Sequence, residues 1–314
     1  MSEPITWITK NGKHIPIYAD KVSDDEKKKS REIGQNEQEG SEKNGKKVAY
    51  ADFEDIGDMC MEFYKRTGIN VVGVPIMYNK EQVVQAFETL EDLQNKFSIN
   101  KNADPSSFED RLELRFCYGT VGGNPFTDEH EDAFMMGGLG VIYLNPKYRK
   151  CSVSDLNEMY AEGEKTHFHP KTTTYKDVFV HEAAHHMLDS WVWEKCNHDR
   201  AKFDEVHTWL TKGQYHNPAN PNKVVYELDD KFKECREKLA NNPEFKKMWG
   251  SSAVNLNELA LASPEYSIGK WSISKYAAKN RHELVAEAFK DFYANGQNAK
   301  EYSKIIVFSI FGLK

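Results

Sequence analysis

The sequence lacks several features that would assign it to a special class of protein. Its five cysteines form no C-x-x-C pair, so neither a disulfide scaffold nor a zinc finger built from cysteines is expected. The longest apolar run, Ile305 to Leu313, is interrupted by Ser309 and Gly312 and falls short of the roughly 18 residues of a membrane span. The first residues lack the charged start and long apolar segment of a secretory signal. These absences predict a cytoplasmic protein with no membrane partner; delivery to another compartment or cell by a signal-independent route stays open.

The chain also has no excess of positive charge. Its 314 residues include 42 lysines and arginines against 49 aspartates and glutamates, for a formal net charge of −7. General nucleic-acid binders need net or clustered positive charge, so we expect no nucleic-acid partner. The length is sufficient for a sizeable hydrophobic core.

The N-terminal part differs in composition from the rest of the chain. Residues 1–19 predict a β-hairpin, because two alternating segments flank Asn11-Gly12, a pair that suits a two-residue turn. Of the 28 residues from Asp20 to Lys47, 16 are charged, which predicts a charged linker or a solvated helix. A folded domain is predicted from Val48 to Lys314.

Patterns within residues 48–314 predict many helices and a few strands, and hence an α+β fold. Apolar residues recur at helical spacing from Lys80 to Phe97. The segment Gly137 to Leu144 predicts a single strand that is entered through glycines and stopped by Pro146. A further helix is expected from about Thr174 to Trp193. We predict a small sheet packed on helices, with this last helix at the centre.

The central helix contains a motif that is typical of a metal site, HEAAH at residues 181–185. His181 and His185 lie one turn apart on the same helical face, so both imidazoles can bind one zinc ion. Glu182 lies beside them and can direct its carboxylate at a water molecule on that ion. Burying these three groups together is costly unless a cation pairs them, since the surrounding positions are apolar. A helix with satisfied structural histidines is the alternative for the motif alone.

A catalytic zinc ion needs a third protein ligand, and the C-terminal part of the chain offers one. Glu283 and Glu287 are four residues apart on a helix that is otherwise apolar. Glu283 is predicted to be the third ligand, and Glu287 to accept a hydrogen bond from a ligand histidine. Two solvated glutamates on an exposed face are the alternative for this pair alone.

These motifs together resemble a known enzyme family. HEAAH followed by Y-x6-E-x3-E-A-F from Tyr276 is similar to the gluzincin zinc metallopeptidases, and most of all to the catalytic domain of anthrax lethal factor and its relatives. The resemblance covers mainly residues 174–191 and 274–293, and more weakly 137–144. Residues 1–47 resemble the N-terminal segments of phage-derived or mobile-element proteins.

The resemblance implies a zincin-like metallopeptidase fold with one Zn²⁺ per chain. It implies His181, His185 and Glu283 as zinc ligands, Glu182 as the general base, and Tyr276 as the hydroxyl that stabilises the transition state. The predicted function is that of a zinc endopeptidase, which hydrolyses a peptide or protein substrate with a metal-activated water.

Substrate binding is predicted at the segment Gly138 to Leu144, as an edge strand along which an extended peptide lies antiparallel. Two other functions stay open. One is a phage-type structural or interaction protein whose zinc site has no catalytic role, and the other is a zinc amidase that acts on a non-peptide amide.

The spacing of the motifs and the other histidines lead to further predictions. Because 98 residues separate His185 from Glu283, a helical insertion is expected at about 191–271. His186 is predicted to point away from the metal, at the surface or behind the ligands, and His282 to face elsewhere than Glu283. The histidines at positions 167 and 169 have strand-like spacing on one side; they are predicted not to bind metal, and a second metal-binding pair is the alternative.

Overall fold

The computed structural model divides into two compact units, Met1–Glu54 and Asp55–Lys314. The residues that the structure describes are 6–10, 13–17, 47–73, 75–100, 113–116, 135–138, 140–165, 168, 173–214, 222–249, 255–261 and 272–313. In the first unit, strands β1 (Thr6–Lys10) and β2 (Lys13–Ile17) pair in antiparallel fashion. Most of the segment predicted to be a charged linker lies outside the described residues, so that prediction and the domain boundaries stay predictions.

The second unit contains a four-stranded mixed sheet in the order β3-β4-β6-β5. Neighbouring strands β3, β4 and β6 run parallel, and β5 runs antiparallel to β6. The sheet therefore has β5 at one edge and β6 inside. Its four strands are β3 (Asn70–Gly73), β4 (Glu113–Phe116), β5 (Met135–Gly138) and β6 (Val141–Leu144).

The prediction of one strand from Gly137 to Leu144 is wrong, because the chain reverses direction within this segment. Gly138 ends β5 and pairs with Val141, the first residue of β6. Gly140, between them, has a φ of 73°, a backbone conformation that glycine adopts without steric cost. The predicted peptide-binding edge at Gly138–Leu144 is also wrong, since β6 is covered on both sides by β4 and β5.

The described residues also form ten α-helices, and the fold belongs to the α+β class with helices predominating. The helix predicted from Lys80 to Phe97 is confirmed as α2. Where residues 191–271 are described, they are largely helical (the end of α4, then α5 to α8). No helix among the described residues is long and apolar enough to cross a membrane. The helices are α1 (Ile56–Thr67), α2 (Lys80–Phe97), α3 (Val153–Lys165), α4 (Tyr175–Lys195), α5 (Arg200–Lys212), α6 (Lys223–Asn241), α7 (Pro243–Trp249), α8 (Leu256–Leu261), α9 (Arg281–Asn295) and α10 (Glu301–Phe311).

Helix α4, which carries the HEAAH motif, lies at the centre of the second unit. It contacts helices α2, α3, α5 and α9 and strands β5 and β6. Its start is fixed because the carboxylate of Asp177 accepts hydrogen bonds from the backbone N–H and the hydroxyl of Thr174. Apolar side chains on nearly every side explain why α4 is buried rather than amphipathic: Tyr175, Phe179, Val180, Leu188, Val192 and Trp193.

Helix α9 packs along α4 more extensively than any other described helix. Both helices carry small side chains at buried positions, Ala183 and Ala184 on α4 and Ala286 and Ala288 on α9. This packing is what brings the two halves of the predicted site together across 98 residues of sequence.

Candidate metal centre

Three side chains from α4 and α9 converge on one point. Nε2 of His181 lies 3.0 Å from Nε2 of His185, and each of these nitrogens lies 3.1 Å from Oε2 of Glu283. The structure thus brings together the three residues that the sequence predicted as zinc ligands. His181 is buried, and the side chains of His185 and Glu283 each retain 12% of their exposure, so the point of convergence is reachable from solvent.

The donor set and its spacing fit a zinc ion. Zinc prefers imidazole nitrogen and carboxylate oxygen at about 2.0–2.2 Å, and three such ligands at tetrahedral angles lie roughly 3.4 Å from one another. The observed separations of 3.0–3.1 Å need only a small outward movement to meet this geometry. Among the described residues only three protein ligands converge, which leaves a fourth position, the arrangement that distinguishes catalytic from structural zinc sites.

Glu287 supports the first histidine from behind. Its Oε1 lies 2.9 Å from Nδ1 of His181, the nitrogen that does not face Glu283. The other oxygen of Glu287 accepts a hydrogen bond of 2.8 Å from the hydroxyl of Ser274, and the ammonium of Lys290 pairs with Oε1. The Glu287 side chain is fully buried. A carboxylate in this place fixes the tautomer and the orientation of a metal-binding imidazole.

The pKa values of the two histidines are shifted in opposite directions. Burial opposes protonation of His181, but hydrogen bonds with Glu283 and Glu287 outweigh it and raise the pKa of His181 to about 9. Burial and the positive charges of His282 and His181 lower the pKa of His185 to about 3. Although burial acts in the opposite direction, the two histidines hold the pKa of Glu283 well below its usual range. His181 is therefore the protonated histidine of the pair, and Glu283 is its charged partner.

The formal charges point to a divalent cation. Around the two histidines, Glu182, Glu283 and Glu287 contribute three carboxylates, and Lys290 contributes one ammonium. Two negative charges are left over when the imidazoles are neutral and all three carboxylates are ionised. Because unpaired buried charge is costly, an ion of charge +2 offsets this excess better than a proton does.

Glu182 has a different environment from the other two glutamates. It is buried, and no group among the described residues donates a hydrogen bond to its carboxylate. Burial, reinforced by the charge of Glu283, raises the pKa of Glu182 to about 7 against the opposing effect of His181. A carboxyl group with a pKa near neutrality can both accept and release a proton under physiological conditions.

Tyr276 lies on the turn that precedes α9, next to the histidines. Its ring centroid is 5.6 Å from that of His181 and 5.3 Å from that of Phe168, whose carbonyl accepts a hydrogen bond from the Tyr276 N–H. Burial, followed by the negative charges of Glu283 and Glu182, raises the pKa of Tyr276, so its hydroxyl keeps its proton. It is therefore a hydrogen-bond donor at the edge of the site.

The start of helix α9 places Glu283. Asn280 precedes the helix, and its side-chain oxygen accepts a hydrogen bond of 2.9 Å from the backbone N–H of Glu283. Glu283 thus sits in the first turn, where the helix dipole also favours a negative charge.

Two neighbouring histidines are buried beside the site. The surface position for His186 is excluded, because it is 3% exposed and its Nε2 lies 3.3 Å from the hydroxyl of Ser190, so of the two predicted positions the one behind the ligands remains. His282 turns its Nε2 to Asp189 rather than to the three converging groups, as predicted, and its ring stacks on that of His185 with centroids 4.0 Å apart. The pair at positions 167 and 169 lies outside the described residues.

Sequence reasoning also missed the partner of His282. Nε2 of His282 lies 2.9 Å from Oδ1 of Asp189, and both side chains are buried. Burial opposes the charged forms of both, but their mutual attraction raises the pKa of His282 and lowers that of Asp189. The one available signal was the spacing of Asp189, which follows His185 by four residues and so lies on the same face of α4.

Comparison with protein-family models, with curated proteins and with solved structures finds no match for this chain.

Proposed function

We propose that this protein is a zinc metalloendopeptidase. The observation that carries the proposal is the convergence of His181, His185 and Glu283, with three donor atoms 3.0–3.1 Å apart and Glu287 behind the first histidine. A site that is only structural has four closed protein ligands, whereas only three converge here among the described residues.

The residues divide the chemistry among them. Zinc bound here would polarise the carbonyl of a peptide bond and lower the pKa of a water molecule. Glu182, with its pKa of about 7, takes a proton from the attacking water and delivers it to the nitrogen of the departing amine. Proton transfer by a positioned side chain contributes typically ~10²–10⁴-fold to the rate.

Tyr276 serves the transition state in this proposal. Its hydroxyl remains protonated, and its ring lies beside His181 at the rim of the site. It donates a hydrogen bond to the oxygen on which negative charge develops as the carbonyl becomes tetrahedral. A single donor of this kind is worth roughly 10²–10³-fold in kcat.

The edge strand β5 is the proposed binding surface for the substrate backbone. β5 (Met135–Gly138) packs against α4 and is the last strand in the order of the described sheet. One row of its backbone N–H and C=O groups therefore has no strand partner among the described residues. An extended peptide can pair with such an edge through main-chain hydrogen bonds, which recognise the substrate as a polypeptide.

The zincin-like character of the fold is part of the same proposal. Supporting features are a central helix with both histidines, a sheet whose edge strand lies against that helix, and a later helix with the third ligand. The proposed substrate strand is β5 and no longer the single strand predicted at Gly138–Leu144. The arrangement of helices and sheet around the site does not depend on this correction.

A digest of a peptide library tests the proposal. The wild-type protein loaded with zinc should cleave internal peptide bonds, and a chelator should abolish cleavage. Glu182→Gln should retain zinc and lose cleavage, whereas Glu194→Gln, at an exposed position on the same helix, should behave as wild type. Cleavage by Glu182→Gln at the wild-type rate contradicts the proposed mechanism. Zinc binding without cleavage of any peptide favours the non-catalytic alternative, and hydrolysis of non-peptide amides alone favours the amidase.

A further inference from the structure

A second group of metal-binding side chains lies beside the candidate zinc site. Asp189 near the end of α4, His207 on α5 and His282 at the start of α9 each offer one ligand atom, and the three atoms lie within 4.8 Å of one another. They come from three different helices. None of the three has a part in the proposed peptide hydrolysis.

One pair in this group has the close spacing of the first site. Oδ1 of Asp189 and Nε2 of His282 are already 2.9 Å apart. The rings of His207 and His282 have centroids 5.1 Å apart and planes inclined at 70°, compared with 4.6 Å and 88° for His181 and His185. Two imidazoles at these separations and angles can direct one nitrogen each toward a common ion.

The second group is separate from the first, although the two are in contact. The rings of His185 and His282 are stacked, with centroids 4.0 Å apart and planes only 14° from parallel. An imidazole binds metal through a lone pair in the plane of its ring. Two parallel rings stacked face to face place their ions in different planes, so His282 cannot share the ion of His185.

We propose that Asp189, His207 and His282 form a second binding site for a divalent metal ion with a preference for nitrogen and oxygen ligands, such as zinc. Two imidazoles and one carboxylate are the same donor set as in the first group, and zinc accepts it. His207 is partly exposed, unlike the buried Asp189 and His282. Its ring lies against those of Phe203 and His282.

An ion at this site would join the insertion to the core of the second unit. His207 belongs to α5, which follows α4 and lies in the region predicted to be an insertion, whereas Asp189 and His282 belong to the two helices of the first site. Binding to the folded state alone stabilises it in proportion to the logarithm of the ion concentration. The second ion thus holds α5 against the start of α9, next to Glu283.

Zinc stoichiometry of the full-length protein, expressed without a histidine tag, tests this proposal independently of catalysis. Wild type, dialysed against a low concentration of free zinc, should retain two equivalents. His207→Ala should retain one, as should Asp189→Asn, and His198→Ala, an exposed histidine that stacks on Trp193, should retain two. The His207→Ala protein should keep its wild-type circular dichroism, since this side chain is only half buried.

The same measurement separates the second site from the first. Glu283→Ala should lose the first equivalent and keep the second, and the double variant with His207→Ala should retain none. One equivalent in wild type that survives His207→Ala overturns the second site and leaves the first intact. Two equivalents in both wild type and His207→Ala also overturn it, because the additional ion then lies elsewhere. Full retention of zinc by Glu283→Ala would instead count against the proposed catalytic site.

Discussion

Two sets of side chains around His181 have opposite characters. In the first, Glu182 and Tyr276 are polar groups whose pKa values are both raised by burial. In the second, Glu287 is fully buried and paired with His181, Ser274 and Lys290, and the charges of Lys290 and His181 hold its pKa well below its usual range against the effect of burial. We call the first the reaction side and the second the support side.

The contrast between two glutamates on the two sides assigns their roles. Both are buried carboxyl groups, so burial alone would raise the pKa of each. Glu287 has Lys290 and His181 as partners and remains charged, whereas Glu182 accepts no hydrogen bond from the described residues and reaches a pKa of about 7. A carboxyl group with a pKa near neutrality is suited to proton transfer. A carboxylate that stays charged is suited to orienting a metal-binding histidine. Changes on the reaction side should therefore affect turnover, and changes on the support side should affect metal binding.

The largest effect is expected from Glu182→Gln on the reaction side. Glutamine keeps the size and shape of the side chain but cannot accept a proton from water. We expect kcat/KM for a library-derived peptide to fall by ~10²–10⁴-fold, with zinc content unchanged. Steady-state kinetics and metal analysis of the same preparation measure both quantities. A loss of zinc in parallel with activity would move Glu182 from the reaction side to the support side.

Tyr276→Phe should have the next largest effect. The variant removes only a hydroxyl whose hydrogen bond strengthens as the oxyanion forms, so kcat should fall by ~10²-fold with little change in KM or zinc content. Tyr64→Phe, at an exposed position on α1, is the matched control and should leave kcat unaltered. If kcat is unaffected by Tyr276→Phe, the oxyanion role of this tyrosine is refuted while the metal centre stands.

Glu287→Gln on the support side should weaken zinc binding instead. The glutamine can still accept a hydrogen bond from Nδ1 of His181, but its negative charge is lost. Changes of this kind behind a metal ligand typically cost 10–100-fold in metal affinity, and we expect a loss in this range. Competition with a chromogenic chelator measures the affinity.

Glu237→Gln, an exposed position on α6, is the control for that measurement. At saturating zinc, Glu287→Gln should recover most of its turnover, because the reaction side is untouched. A variant with wild-type zinc affinity and low turnover would reverse the assignment of the two sides.

The smallest effect is expected from Asn280→Ala, which removes the cap of α9. Loss of an N-cap side chain costs typically about 1 kcal/mol of stability. The Asn280 side chain also accepts a hydrogen bond from the backbone N–H of Glu283, so its loss should weaken zinc binding as well. If the whole of this roughly 1 kcal/mol is felt at the metal, the zinc affinity falls roughly fivefold. Denaturant titration gives the stability of the variant, and chelator competition gives its zinc affinity.

Asn79→Ala provides the comparison for this cap. Asn79 caps α2, because its side-chain oxygen accepts a hydrogen bond from the backbone N–H of Glu81. This cap is far from the metal-site residues in sequence. Its loss should destabilise the protein by a similar amount and leave zinc affinity unchanged. Equal zinc affinities in the two variants would show that the cap of α9 contributes only to stability.

The site residues that could be predicted from the sequence are those that belong to a short motif or to a regular spacing within one helix. His181 and His185 follow from a spacing of one helical turn, and Glu283 with Glu287 follow from a similar spacing on an apolar helix. The helix Lys80–Phe97 was predictable because its apolar period is regular.

The features that could not be predicted depend on packing between distant elements. Helical geometry alone turns His282 away from Glu283, yet the first turn of α9 lies between α4 and α5, so both residues find partners. The pattern of Gly137 to Leu144 predicts one strand, because the reversal depends on the backbone of Gly140 and on the pairing of β5 with β6. Strand pairing and helix packing depend on tertiary contacts, and the periodicity of apolar residues in the sequence does not predict them.

The position of zinc in a crystal of the full-length protein, read from anomalous scattering at the zinc absorption edge, is the decisive test of the metal centre. We expect a peak about 2.0–2.2 Å from Nε2 of His181, Nε2 of His185 and Oε2 of Glu283, with Glu287 still beside Nδ1 of His181. A crystal grown in zinc with no anomalous peak among these three atoms would contradict it.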